Sequence, residues 1–128
     1  MQKNTAKYFV TASAIILAIC GLIMIFSASE LSATLFDDKS GSLPIELWGS
    51  AIIGFAAMNW IARHSILGGI YGRAVVAGNQ VHFFIGSMIM LRVLVNGGVA
   101  IPIGILFIIY ALHALLFSYL MFWSSGID

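Results

Sequence analysis

The sequence is poor in most of what soluble proteins and enzymes use. It has one cysteine, Cys20, which lies inside an apolar run and cannot form an internal disulfide. It has two prolines, Pro44 and Pro102, each placed where a helix is expected to begin. Charge is scarce: six Lys and Arg against five Asp and Glu, 9% of the chain, with a net charge of +1. That leaves no basic field of the kind that binds nucleic acid. HExxH, GxSxG, a Walker lysine and CxxC are all missing, so the common signatures of zinc, serine, phosphate and thiol chemistry do not occur. Gly68-Gly69-Ile70-Tyr71-Gly72 follows no strand and is not a phosphate cradle. The inverted repeats and interrupted helices of secondary transporters are absent too.

What the chain has in quantity is apolar surface. Hydrophobic residues make up 61% of 128 positions, and the mean hydropathy is +1.04. A soluble domain of this size cannot hide that much, because its surface-to-volume ratio is too high. A bilayer removes the difficulty. Four apolar runs, at about residues 9–29, 45–62, 74–95 and 101–123, have the length of spanning helices. The expected fold is all-α, a single transmembrane domain over residues 1–128 built as a four-helix up-down bundle. The first run has small residues, Ser27-Ala28-Ser29, where a secretory leader would be cut. Its apolar core exceeds the 7–15 residues usual for a leader, so it is read as a helix.

Between the runs, Leu31, Leu35 and Phe36 suit a short helical turn on the membrane surface, followed by the polar turn Asp37–Ser42. Arg63–Arg73 is expected to form a glycine-rich basic turn, and Asn96-Gly97-Gly98 to end the third helix. Lys3, Lys7, Arg63 and Arg73 fall on one side; Lys39, Glu30, Asp37, Asp38 and Glu46 fall on the other. The positive-inside rule then puts both termini and the Arg63–Arg73 turn in the cytoplasm, in a cell inner membrane. Tyr8, Trp60, Tyr71, Tyr119 and Trp123 gather at the same inner interface, with Trp48 at the outer one.

In lipid, helices associate through small residues that let backbones approach. Ala14, Ala18 and Gly21 supply such a stripe on the first helix and Ser50, Gly54 and Ala57 on the second. Gly78 and Gly86 do so on the third, and Gly104, Ala111, Ala114 and Ser118 on the fourth.

Polar residues at membrane depth are the candidate sites. An ionisable group there costs about 2.5–3.5 kcal/mol by insertion scales. Arg92, near the outer end of the third helix, is expected either to pair with Glu46 at the start of the second or to snorkel to headgroups. Asn59 and Asn79 lie at similar depth and suit an interhelical clasp, or the wall of a small polar pocket. His82 and His113 both fall about 12–15 Å from the inner boundary at 1.5 Å per residue. Adjacent histidines at matched depth suit ligands of a b-type haem or the border of a quinone pocket. The plainer alternative is that each donates to a carbonyl or to a hydroxyl such as that of Tyr110.

Leu47-Trp48-Gly49, Asn59-Trp60, Arg63, Arg73 and Asn79, over the central third of the chain, resemble a loose group of small bacterial four-helix membrane proteins laid out like the DoxX-like families. The resemblance implies the same four-span topology and no particular activity. The expected function is that of a non-enzymatic integral membrane protein. It would serve as an accessory or structural subunit of a membrane complex or as a homo-oligomer, with lipid and other membrane subunits as partners and no metal. The alternatives are a haem- or quinone-binding subunit using His82 and His113, and an oligomeric channel or small-solute carrier lined by the third helix.

Overall fold

The computed structural model describes residues 3–37, 41–65, 69–97 and 101–123, all in helices or the short stretches that flank them. The helices are α1 (Lys3–Phe26), α2 (Ala28–Phe36), α3 (Leu43–Ala62), α4 (Gly69–Val95) and α5 (Ile101–Phe122). The chain is all-helical, as expected. α1, α3, α4 and α5 carry apolar windows of 22, 20, 27 and 22 residues, long enough to cross a bilayer. This is the build of a multi-pass membrane protein. Asp38-Lys39-Ser40, Ile66-Leu67-Gly68, Gly98 and the tail from Ser124, all read above as turn or terminus, lie outside the described residues.

Three boundaries differ from the sequence reading. α1 starts at Lys3, not Phe9, because a basic first turn can stay helical while Lys7 reaches toward headgroups. α1 then stops at Phe26, where Ser27 adopts φ −109° and ψ 22° and starts α2. The residues from Ala28 onward thus belong to a separate nine-residue helix capped by Asp37 at φ 54°. α4 starts at Gly69, five residues before the expected Ala74. Glycine costs about 1 kcal/mol in a helix, but peptide groups left unpaired beside lipid cost several. The glycine-rich stretch is therefore wound rather than looped.

By internal contact the chain forms two compact units, Met1–Val10 with Ala62–Asp128, and Thr11–Ile61. In the second unit α1 and α3 run antiparallel. Asn59 meets Ser13, Ile53 meets Gly21, and Gly49 meets Met24 and Ile25. The crossing is close because two glycines face each other. A methyl on Gly21 would lie 2.8 Å from the carbonyl oxygen of Gly49, and one on Gly49 3.0 Å from that of Gly21. Leu17, Met24, Ile45 and Ile52 fill the buried face. Of the small residues expected on α3, Gly54 and Ala57 are instead exposed, and a methyl on Gly54 would meet nothing within 4 Å. Gly49, about 100° around the helix from the expected stripe, makes the contact.

In the first unit α4 and α5 form an antiparallel hairpin in which Gln80 faces Ser118 and Gly86 faces Tyr110. Asn96 and Gly97, the latter at φ 86°, end α4. Phe83 and Phe117 are fully buried between the helices, while Ile108, Leu112 and Leu115 are 58–69% exposed. Rows of large aliphatic side chains that open are at home in lipid and not in water.

Candidate functional site

The densest polar and aromatic cluster at depth lies in the α4–α5 hairpin. Gly86 creates it: a methyl there would lie 2.5 Å from Cε1 of Tyr110, so the phenol ring rests on bare backbone. Tyr110 is thereby set beside His82, whose Nε2 is 3.1 Å from the phenol oxygen. One turn along, Phe83 touches four rings. It lies edge-on to Tyr110 at 5.0 Å and to His82 at 5.0 Å, tilted to His113 at 4.8 Å, and stacked on Phe117 at 6.2 Å between centroids. These separations are within the range in which aromatic pairs attract.

The two histidines that depth matching singled out therefore do share one cluster, each against the Phe83 ring. A haem between them would need both ring nitrogens directed at one iron. Here His82 Nε2 meets the Tyr110 hydroxyl, and the Phe83 ring lies against both imidazoles. His113 differs from His82. Its Nδ1 is 2.7 Å from the Ile109 carbonyl oxygen. A carbonyl only accepts, so Nδ1 carries the proton and Nε2 of the neutral ring is a bare acceptor. That nitrogen is buried and has no hydrogen-bond partner.

Among the other polar candidates, Asn79, Asn59 and Glu46 each have a hydrogen-bond partner. Asn79 Nδ2 donates to the Val75 carbonyl at 2.8 Å. Asn59 Nδ2 donates to Ser13 Oγ at 3.4 Å. Both amides are fully buried. Ser42 Oγ donates to Glu46 Oε1 at 2.9 Å, while the Ser42 carbonyl accepts from the Ile45 and Glu46 amides. This holds the carboxylate at the α3 N-terminus, where the helix dipole favours it. Arg92 is exposed in the last turn of α4, where its charge suits the dipole in the same way. Glu46 and Asn59 belong to one unit, Arg92 and Asn79 to the other. Ser13 and Gln80 were not singled out in the sequence, whereas Tyr110 was named there as a hydroxyl partner for a histidine and Ser118 as part of the α5 small-residue stripe. Depth would have found Ser13, since it follows Tyr8 by about as many residues as Asn59 precedes Arg63.

A second charged feature is the turn after α3. Lys7 first, then slight desolvation of the exposed ring and Arg63, hold the His64 imidazole below the usual histidine range, because cations nearby disfavour a third. Lys7→Gln is expected to raise the His64 pKa toward the ordinary value, read from its ring proton shifts against pH. An unchanged or lower pKa would show that Lys7 does not act on it.

Among the described residues no three His, Cys, Asp or Glu side chains gather as a metal site. Between α1 and α3 runs an open apolar groove of about 530 Å³, lined by residues that include Ala14, Ala18, Ile53, Ala57 and Trp60. Comparison of the chain with protein-family models, with curated proteins and with solved structures finds no match.

Proposed function

We propose that this multi-pass protein works by lateral association within a bilayer, as a homo-oligomer or as an accessory subunit beside other membrane proteins, and that it catalyses no reaction. The proposal includes a cytoplasmic membrane location with both termini inside, favoured by the placement of Lys and Arg, and the DoxX-like layout. The observation that carries it is on α3. Ser50, Gly54 and Ala57 recur at helical spacing on an exposed face, and beyond the adjoining α3 backbone and the neighbours in sequence no atom stands within 4 Å of where a Gly54 methyl would be. Ala57 also borders the groove against α1. A face with small residues next to a groove is one that a neighbouring helix can approach closely, and in lipid such approach replaces the hydrophobic drive that water would supply.

Subunit counting by single-molecule photobleaching in liposomes tests this. The wild type is expected to show multiple copies per particle, and Gly54→Leu to shift the population towards single copies while leaving helix content unchanged. Single copies for the wild type, together with no partner retained on mild extraction from its own membrane, would refute the association reading.

A further inference from the structure

We infer that His113 is the recognition point for a bound, uncharged, lipid-soluble hydroxyl compound of the quinol or phenol class, which donates its O–H to Nε2. Each part of that description comes from the site. The ligand must donate, because Nδ1 already gives its proton to the Ile109 carbonyl at 2.7 Å and leaves Nε2 with only a lone pair. It is needed because His113 is 5% exposed and this nitrogen has no partner, and buried acceptors are nearly always satisfied. His113 is the thirteenth residue of the 22 in α5, so it lies near the middle of a spanning helix, where bulk water is not at hand as a donor.

The ligand must be uncharged, because residues 74–91 and 93–127 contain no Asp, Glu, Lys or Arg to balance an ion. It is aromatic because the imidazole is packed in rings: Phe83 at 4.8 Å and, behind it, Phe117 and Tyr110. His82 is a positioning residue here. Its contact with the Tyr110 hydroxyl at 3.1 Å occupies the phenol and holds its ring beside Phe83, leaving His113 Nε2 as the unpaired acceptor. Nε2 is closed off by packing, so the ligand reaches it only when a covering side chain turns. The inference is independent of the association reading: it concerns a single hairpin and would hold for a monomer.

The donor direction gives a sharp test. A quinol carries O–H groups, whereas its oxidised quinone presents only carbonyl oxygens, which a bare nitrogen repels. The probes are a decyl-substituted benzoquinol and the corresponding benzoquinone, added to histidine-¹⁵N-labelled protein in phospholipid nanodiscs, with empty nanodiscs correcting for partition. The quinol is expected to shift the His113 Nε2 resonance and to bind at least about tenfold more tightly than the quinone, since a site built for a hydroxyl discriminates strongly against an analogue without one. His113→Phe should lower quinol affinity by about the same factor and abolish the preference. Equal affinity of the wild type for the two forms, or a His113 resonance unmoved by saturating quinol, would overturn the assignment. The wild-type comparison decides the matter even if the variant fails to fold.

Discussion

Gly21→Ala is expected to destabilise the protein by about 1–3 kcal/mol, the usual cost of adding a methyl to a tightly packed contact. Ordinary helix energetics predicts the opposite, since alanine in place of glycine inside a helix stabilises by roughly 0.5–1 kcal/mol. Packing should win because of what the methyl meets. The Ile53 Cγ1 atom at 2.6 Å can move with its side chain, but the Gly49 carbonyl oxygen at 2.8 Å belongs to the α3 backbone. Only separation of the helices relieves that clash. Separation also loosens Gly49 from Met24 and Ile25 and lengthens the contact of Asn59 with Ser13, already 3.4 Å. Gly54→Ala is the control. With nothing within 4 Å, it should leave stability unchanged or raise it by up to about 1 kcal/mol. The measurement is the unfolding midpoint of each variant in a titration of mixed micelles with a denaturing detergent. A Gly21→Ala variant as stable as the wild type would mean that the glycine pair does not set the α1–α3 distance.

The contrast between Gly21 and Gly54 also shows what the sequence could and could not disclose. Span number and approximate position were legible because 20-residue apolar runs admit few other interpretations. Which small residues make contacts was not, because in lipid both faces of a spanning helix are apolar and periodicity no longer separates inside from outside. Ser50-Gly54-Ala57 and Ile45-Gly49-Ile52 look alike as patterns; only the structure puts the second against α1. Depth was a better guide than facing. It brought His82 and His113 to one cluster, because counting residues from a span end fixes height to within about a turn and a half, even with the start of α4 displaced by five residues. It could not reveal that Phe83 lies against both imidazoles, since that depends on rotation about the α4 axis. The early start of α4 was missed for another reason: Gly69-Ile70-Tyr71-Gly72 has the composition of a turn in water, whereas the membrane interface favours a backbone that satisfies itself.

Phe83→Ala should be the most damaging single substitution in the α4–α5 hairpin, costing about 3–5 kcal/mol. Phe83 is fully buried and contacts His82, Tyr110, His113 and Phe117 together. Its removal leaves a cavity between helices that are held apart elsewhere by side chains, among them Gln80 and Ser118 at 3.5 Å, so little collapse is possible. Phe84 provides the comparison within the same turn. It is 49% exposed, and truncating it exchanges contact with lipid tails for contact with lipid tails, so Phe84→Ala should stay within about 0.5 kcal/mol of the wild type. Phe83→Leu keeps most of the volume and should cost less than about 1.5 kcal/mol. The same detergent titration measures all three, and amide exchange along α4 and α5 locates the loss. Under Phe83→Ala, protection should fall on both helices around residues 79–90 and 106–118, because the ring supports each through the other. If Phe84→Ala proved the more harmful of the two alanine variants, α4 would have to be rotated by about a quarter turn from the orientation described here, and the assignment of His113 to a shared aromatic cluster would fail with it.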